Sequence, residues 1–222
     1  MSSTTTEAPT TPGRRPLSRG TRRGIKIAVF VLVVVGIVLG TKVVPMDSEL
    51  LQPEEQFDAE TFGAEHFSEV QEDVVSSAVP ASELADAISA DQEAAVSDYA
   101  NPSSGGPVFP VTFTGTVSEG NAGIYTIEVE DVPDDLTVRV QTGPAINGTE
   151  LRDATGTMPF GDFDNQIEYQ DAGAALNEEM KEQVLADVDT DDLKGKTITV
   201  TGAFTLVNPQ GWLVTPVELE VQ

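Results

Sequence analysis

The side chains best suited to ligand chemistry are planar polar groups in the middle of the C-terminal half. Arginine, asparagine, glutamine and aspartate offer paired hydrogen bonds, and tyrosine adds an aromatic face. A sugar needs this combination, because its hydroxyls bond in pairs and its ring rests on a flat surface. The sequence therefore predicts one polar ligand pocket, formed by Arg139, Gln141, Arg152, Asp153, Asn165, Gln166, Tyr169 and Asn177.

The two arginines of this set also allow a purely structural interpretation. They are two of only five bases that face 36 acids after residue 42. An arginine in such surroundings commonly pairs with a carboxylate, and Asp153, Asp162 and Glu168 are close enough in sequence to serve. The sequence leaves both the pocket and the structural ion pair open.

Enzyme chemistry has little support in the sequence. There is no cysteine, and His66 is the single histidine. No glycine-rich phosphate loop occurs. Asp187, Asp189 and Asp191 imitate the start of a calcium loop, but Asp192 and Ile198 stand where glycine and glutamate are required. We therefore expect a non-enzymatic protein without a metal or a cofactor.

Charge and hydropathy divide the 222-residue chain, whose net charge is -25. Seven of the twelve bases lie in residues 1–42, most of them before an apolar run at residues 27–40. Residues 24–44 are long enough to span a bilayer, with Lys26 and Lys42 near the two ends. The excess of bases on the N-terminal side predicts a single-pass helix, with the N-terminus cytoplasmic and the C-terminal domain extracytoplasmic. Cleavage of this segment as a signal peptide is the alternative.

The rest of the chain divides into four parts. Residues 1–23 are polar and basic and predict a disordered cytoplasmic tail. Residues 46–100 predict an acidic helical segment, interrupted at Pro80 and resumed with Ser82 as the N-cap. Residues 101–107 read as a linker because they are rich in Pro, Gly and Ser. Residues 108–222 predict a β-domain.

Alternating β-branched and aromatic residues predict five strands in the β-domain, with one helix between the third and the fourth. This order is typical of an OB-fold, a small closed barrel, and a β-sandwich is the alternative. Gly115 and Gly202 are expected where strands coil sharply. The predicted class is thus α+β: a transmembrane helix, an acidic helical segment and a five-stranded OB-fold-like barrel. The expected strands are residues 108–117, 124–130, 136–141, 197–206 and 212–221.

Several runs resemble a bacterial family of predicted periplasmic lipoproteins of unknown function. They are residues 138–149, 151–154, 160–169, 175–177, 195–196 and 201–204. The resemblance extends from about Phe57 to the C-terminus and implies an OB-type barrel with N-terminal helices. It also implies a gene neighbourhood with sugar ABC transporters. The chain departs from the family name because it has no cysteine to acylate, so the transmembrane helix would replace the lipid.

Two classes of function follow from these observations. The first is a membrane-anchored binding or accessory protein that acts with the permease or the solute-binding protein of a sugar ABC transporter. The second is a nucleic-acid-binding OB-fold protein, which the acidic charge disfavours because phosphates would be repelled. A structural envelope protein remains a third interpretation.

Overall fold

The N-terminal part of the described chain is helical because apolar residues recur every three or four positions. The computed structural model describes residues 30–33, 36 and 57–222. Helix α1 (Ala59–Ser77) begins after Asp58, whose carboxylate accepts the Thr61 N–H at 2.8 Å, and this bond lowers the pKa of Asp58. A short strand and two shorter helices follow: β1 (Val79–Pro80), α2 (Ala81–Ala90) and α3 (Gln92–Tyr99).

The predicted anchor falls almost wholly outside the described residues. Of the tail at 1–23, the membrane segment at 24–44 and the first residues of the helical segment at 46–56, the structure describes only residues 30–33 and 36, which are helical. Within the described ranges, no helix combines the length and the apolar character that crossing a membrane requires.

The helical segment differs in two details from the pattern predicted for it. Pro80 occupies the N-cap position of α2, with no side-chain cap, so Ser82 is not the cap. The second helix also breaks at Asp91, whose carboxylate accepts the N–H groups of Glu93 and Ala94, both at 3.1 Å. This strong local cap starts a separate third helix.

Five further strands close into a barrel. Inward-facing residues form its core, where Phe109, Phe204 and Trp212 are buried and their rings stack in sequence. The strands are β2 (Val108–Asn121), β3 (Ile124–Val129), β4 (Thr137–Gln141), β5 (Thr197–Thr205) and β6 (Gly211–Val221). The predicted strand positions agree closely with these bounds.

The order of the strands is that of an OB-fold. Around the barrel the order is β2-β3-β4-β6-β5, and β5 pairs again with β2 to close the ring. The β4–β6 pairing is parallel, and the other pairings of the ring are antiparallel. Closure excludes the alternative of two packed sheets. One detail is corrected: the sheet has six strands, because the two residues of β1 add to β2 in parallel.

Two glycines lie where the barrel bends most closely on itself. At Gly202 the β5–β6 register shifts, and a Cβ atom would lie 2.3 Å from the carbonyl oxygen of Thr215. At Gly115 it would lie 2.5 Å from the carbonyl oxygen of Glu128. Only glycine fits such close backbone approaches, as the sequence predicted for both positions.

Between β4 and β5 the chain forms the helices that carry most of the predicted site. They are α4 (Glu150–Asp153), a 3₁₀ turn (Phe160–Asp162) and α5 (Gln166–Met180), which continues through a wider turn, Lys181–Leu185. α5 packs closely against α1, where a Cβ on Gly63 would lie 2.8 Å from the carbonyl oxygen of Ala175. α1 also contacts the barrel, since the Gln71 Nε2 donates to the Val217 carbonyl at 2.7 Å.

Candidate functional site

The centre of the predicted site is a buried ion pair in α4. Arg152 is 3% exposed, and its Nε and Nη2 lie 2.8 and 2.7 Å from Oδ1 of Asp153. The other carboxylate oxygen of Asp153 accepts the Thr149 hydroxyl at 2.9 Å. Burying two charges without partners would be very costly, because each loses its bonds to water. These bonds replace the ones to water.

Tyr169 of α5 covers this pair. The guanidinium carbon of Arg152 lies 3.4 Å from the centre of the Tyr169 ring, and Nη1 donates to the Tyr169 carbonyl at 2.6 Å. The Tyr169 hydroxyl faces Oδ1 of Asp153 at 3.4 Å, and burial is the main cause that raises the pKa of this tyrosine. A ring face attracts a cation, so the three side chains act as one unit.

The start of α5 fixes the position of Tyr169. Asn165 is the N-cap, and its Oδ1 accepts the N–H groups of Ile167 and Glu168 at 2.9 and 3.1 Å. The Glu168 carboxylate accepts the Asn165 side-chain NH₂ at 3.0 Å and the Asp164 backbone N–H at 3.1 Å. This arrangement resembles a capping box, with the Glu168 carboxylate on the Asn165 side chain and the preceding N–H, and it holds the first turn of the helix. Asn165 therefore has a clear local role, while Gln166 is exposed to solvent.

The remaining predicted residues lie in other environments. Gln141 is buried and donates to the Thr215 hydroxyl at 2.9 Å. Asn177 is buried and donates to the Gly148 carbonyl at 2.8 Å, with no partner for its own Oδ1 among the described residues. Arg139 is half-buried on β4, in register with Thr126 and Leu213. The structure thus brings Arg152, Asp153 and Tyr169 together and leaves the other five apart from them.

Glu150 extends the polar network toward the barrel wall. Its two carboxylate oxygens face the hydroxyls of Thr205 and Thr215 at 3.4 and 3.5 Å. Burial is the main cause that raises the pKa of Glu150, and the nearby Asp153 raises it further. Thr215 therefore links Glu150 to Gln141, so the buried polar groups form a continuous brace between α4 and the barrel.

An aromatic cluster begins at the outer side of Tyr169. The rings of Phe160 and Phe163 lie 5.4 and 5.3 Å from that of Tyr169. Phe163 in turn lies 5.9 Å from Phe62 of α1, and Phe62 lies 4.4 Å from His66. Rings at these separations attract one another, so the cluster joins the 3₁₀ turn to α1 and α5.

This cluster forms one wall of a surface cavity of about 350 Å³. We call it the aromatic cleft; it is lined by Phe62, His66, Glu69, Thr157, Met158, Asp162 and Phe163. Its rings are half-buried, and its two carboxylates are exposed. Flat apolar faces beside a few polar groups are the usual composition of a small-molecule site.

Sequence reasoning did not select the residues of the aromatic cleft. One signal was available, because Phe62 and His66 are four residues apart on a helix and must share a face. The contact between α1 and Phe163 has no such signal, since about a hundred residues separate them. None of the eight predicted side chains lines the aromatic cleft or any of four other surface cavities of the described residues.

Four other surface cavities among the described residues are larger than the cleft, and the two largest of them are less suited to a ligand. One, of about 450 Å³, lies between α2 and the loops around Asp135 and Gln210. Its polar groups on the loop side are already paired, because the Gln210 amide donates to Asp135 and the Gln210 N–H to Asn208. The other, of about 600 Å³, lies between α1 and α5 and is lined by alanines and acids. Neither has an aromatic wall.

Comparison with known proteins agrees with this architecture. Residues 29–220 match the model of a family described as predicted periplasmic lipoprotein (DUF2291). The chain is also similar to an OB-fold protein from Thermotoga maritima, with 19% identity and a TM-score of 0.60. That match covers 76% of this chain and 100% of the other. No curated protein matches the chain.

Proposed function

The chain belongs to the family of predicted periplasmic lipoproteins, and we propose that it is a membrane-anchored, extracytoplasmic binding protein whose ligand site is the aromatic cleft. The observation that carries this proposal is the meeting of three half-buried rings, Phe62, His66 and Phe163, with exposed polar groups around one cavity. A sugar ring can rest on such a face while its hydroxyls bond to Thr157 and the carboxylates.

The buried ion pair would hold the rings beside the aromatic cleft in position. Tyr169 contacts Phe160 and Phe163 on one side and Arg152 on the other. A ring whose position is fixed by a cation and a helix cap gives the cleft a rigid wall, which lowers the entropic cost of binding. In this proposal Arg152, Asp153 and Asn165 are positioning residues, and they act on the ligand only through Tyr169 and Phe163.

The anchor is proposed from the sequence. Residues 24–44 would cross the membrane once, with the basic tail in the cytoplasm, and would replace the lipid that a cysteine-free chain cannot carry. The proposed partner is the permease or the solute-binding protein of a sugar ABC transporter. Nucleic acid fits poorly, because Arg152 is buried and 36 acids after residue 42 would repel phosphates.

The topology is tested with reporter fusions to Gln222 in living cells. A reporter active only in the cytoplasm should give no signal, and one active only after export should give a strong signal. The matched control is the same pair of reporters fused after residue 20, where the expected signals are reversed. A strong cytoplasmic signal from the fusion at Gln222 would contradict the proposed orientation.

Ligand binding is tested on the full-length protein in lipid nanodiscs. We expect at least one sugar from a panel of hexoses, N-acetylhexosamines and hexosamines to bind in calorimetry and to raise the melting temperature. The variant Phe163→Leu removes a ring face and should weaken that binding roughly three- to tenfold. Binding to Tyr99→Leu, which removes a ring outside the cleft, should be unchanged.

Two results would count against this proposal. One is the failure of every sugar in the panel to bind. The other is equal binding by the wild type and Phe163→Leu, which would show that the ligand does not bind in the cleft.

A crosslinked pull-down from native membranes tests the transporter association independently. Recovery of neither the permease nor the solute-binding protein would contradict that association.

A further inference from the structure

The charge and the ring geometry of the aromatic cleft restrict the kind of sugar that it can hold. We propose that its ligand is an amino sugar in the cationic form, a hexosamine whose ammonium group lies between the rings and the carboxylates of the cleft. This inference rests on the proposed function, because it names the ligand class of the same site.

The first argument is the sign of the charges. Glu69 and Asp162 line the cleft and are exposed, and no arginine or lysine is among its lining residues. An anionic ligand such as a sugar phosphate would meet two carboxylates and neither an arginine nor a lysine. A cation gains from both carboxylates at once, and the acidic surroundings add attraction at longer range.

The second argument is the arrangement of the rings. The Phe62 and His66 rings are tilted by 39° at 4.4 Å, and the Phe62 and Phe163 rings by 58° at 5.9 Å. Tilted rings form a corner, so more than one ring can approach the same ligand. The faces of aromatic rings carry negative potential, and an ammonium group within about 6 Å of a ring centre is attracted.

The protein already holds one cation in this way on the inner side of the same cluster. The Arg152 guanidinium lies against the Tyr169 ring at 3.4 Å and pairs with the Asp153 carboxylate at 2.7 Å. The aromatic cleft has the same components, rings and carboxylates, but no arginine or lysine of the described residues pairs with its carboxylates. An ammonium ligand would complete it.

The size of the cavity restricts the rest of the ligand. About 350 Å³ accommodates one hexose-sized ring and little more. The apolar C–H face of the sugar would lie against Phe163, and the Thr157 hydroxyl, 2.7 Å from that of Thr155, lies at the edge. A small quaternary amine would satisfy the charge and leave the ring face of the cleft uncovered.

The experiment uses full-length protein in nanodiscs and calorimetric titration with glucosamine, N-acetylglucosamine, glucose and choline. At about pH 6 the glucosamine amine is protonated, whereas N-acetylglucosamine has the same ring without the charge. We expect glucosamine to bind at least about tenfold more tightly than either neutral sugar. Added salt should weaken glucosamine binding, because exposed charges are screened.

Paired variants separate the charge from the fold. The double substitution Glu69→Gln and Asp162→Asn should weaken glucosamine binding about tenfold and leave the weaker binding of N-acetylglucosamine unchanged. The control, Glu65→Gln with Asp164→Asn, neutralises two exposed acids nearby and should bind as the wild type does. Both double variants are judged on protein whose melting curve matches that of the wild type.

The outcomes distinguish this inference from the proposed function. Equal binding of glucosamine and N-acetylglucosamine, lost in Phe163→Leu, would overturn the cationic ligand and preserve a sugar site in the cleft. Choline binding as tightly as glucosamine would overturn the requirement for a sugar ring. Binding of no sugar at all would overturn both proposals.

Discussion

Replacing Arg152 with alanine is expected to lower the free energy of unfolding by roughly 3–5 kcal/mol. The substitution leaves the Asp153 carboxylate, 6% exposed, without its cation and removes the group that the Tyr169 ring covers. Only the bonds from Thr149 and Tyr169 remain to that carboxylate. The measurement is urea unfolding of the full-length protein in nanodiscs, followed by the fluorescence of Trp212, its single tryptophan.

Two further variants show whether the pairing causes this loss. Adding Asp153→Asn to Arg152→Ala should restore part of the stability, because the unpaired charge is then gone. Arg139→Ala is the matched control, since this half-buried arginine forms no ion pair with any described residue, and a loss of at most about 1 kcal/mol is expected. Equal losses from Arg152→Ala and Arg139→Ala would contradict the role of the buried pair.

Replacing Gly202 with alanine should lower the melting temperature by roughly 5–10 °C. The new Cβ would lie 2.3 Å from the Thr215 carbonyl oxygen and 2.9 Å from the Cα of Pro216, both in the backbone of β6. Backbone atoms cannot rotate away as a flexible side chain can, so the β5–β6 pairing must shift at its bulge. Thermal unfolding followed by Trp212 fluorescence reports on this part of the barrel directly.

The control for this prediction must be a glycine with space around it. Gly105→Ala is suitable, because the nearest atom to its Cβ would be the Ser103 hydroxyl at 3.7 Å, and the change should be within about 2 °C. Gly120 looks like a tolerant loop position in the sequence, but there a Cβ would lie 2.2 Å from the Tyr125 ring. Similar small shifts from Gly202→Ala and Gly105→Ala would count against the close approach.

The barrel could be predicted from the sequence because the pattern that marks each strand lies within that strand. Each strand carries its own alternation of apolar and polar residues, and the helix lies in the one place that an OB-fold allows. The strand β1 could not be predicted, since Val79 and Pro80 have no pattern and pair only because α1 ends beside β2. Short elements of this kind depend on tertiary contact alone.

Helix ends were less predictable because neighbouring caps compete. Asn165, Asp162 and Asp164 all have side chains that can cap α5, and the structure uses Asn165, supported by Glu168. With the helix phase set by that cap, the apolar side chain of Ile167 is 71% exposed. A shift of one or two residues in the start of a helix changes which side chains face inward.

The candidate site could be predicted only in part, because most of its contacts join residues that are distant in sequence. Arg152 and Asp153 are adjacent in sequence, and a buried pair is a natural expectation for them. Tyr169 joins them because α5 folds back over α4, which no sequence period encodes. The aromatic cleft is assembled from three distant segments around Phe62, Met158 and Phe163, so only the folded chain could reveal it.

The pairing of β2 with β5 determines how late in synthesis the barrel can close. Thr112 and Thr201 are partners in register but are separated by 89 positions, so the ring cannot close before nearly the whole chain has been synthesised. Loops of this length close slowly, and domains dominated by such distant contacts fold late. Until then β2 lacks a permanent neighbour on one side. The chain therefore cannot complete its barrel while it is being made, and a chain without a closed barrel is easier to thread through a narrow export channel.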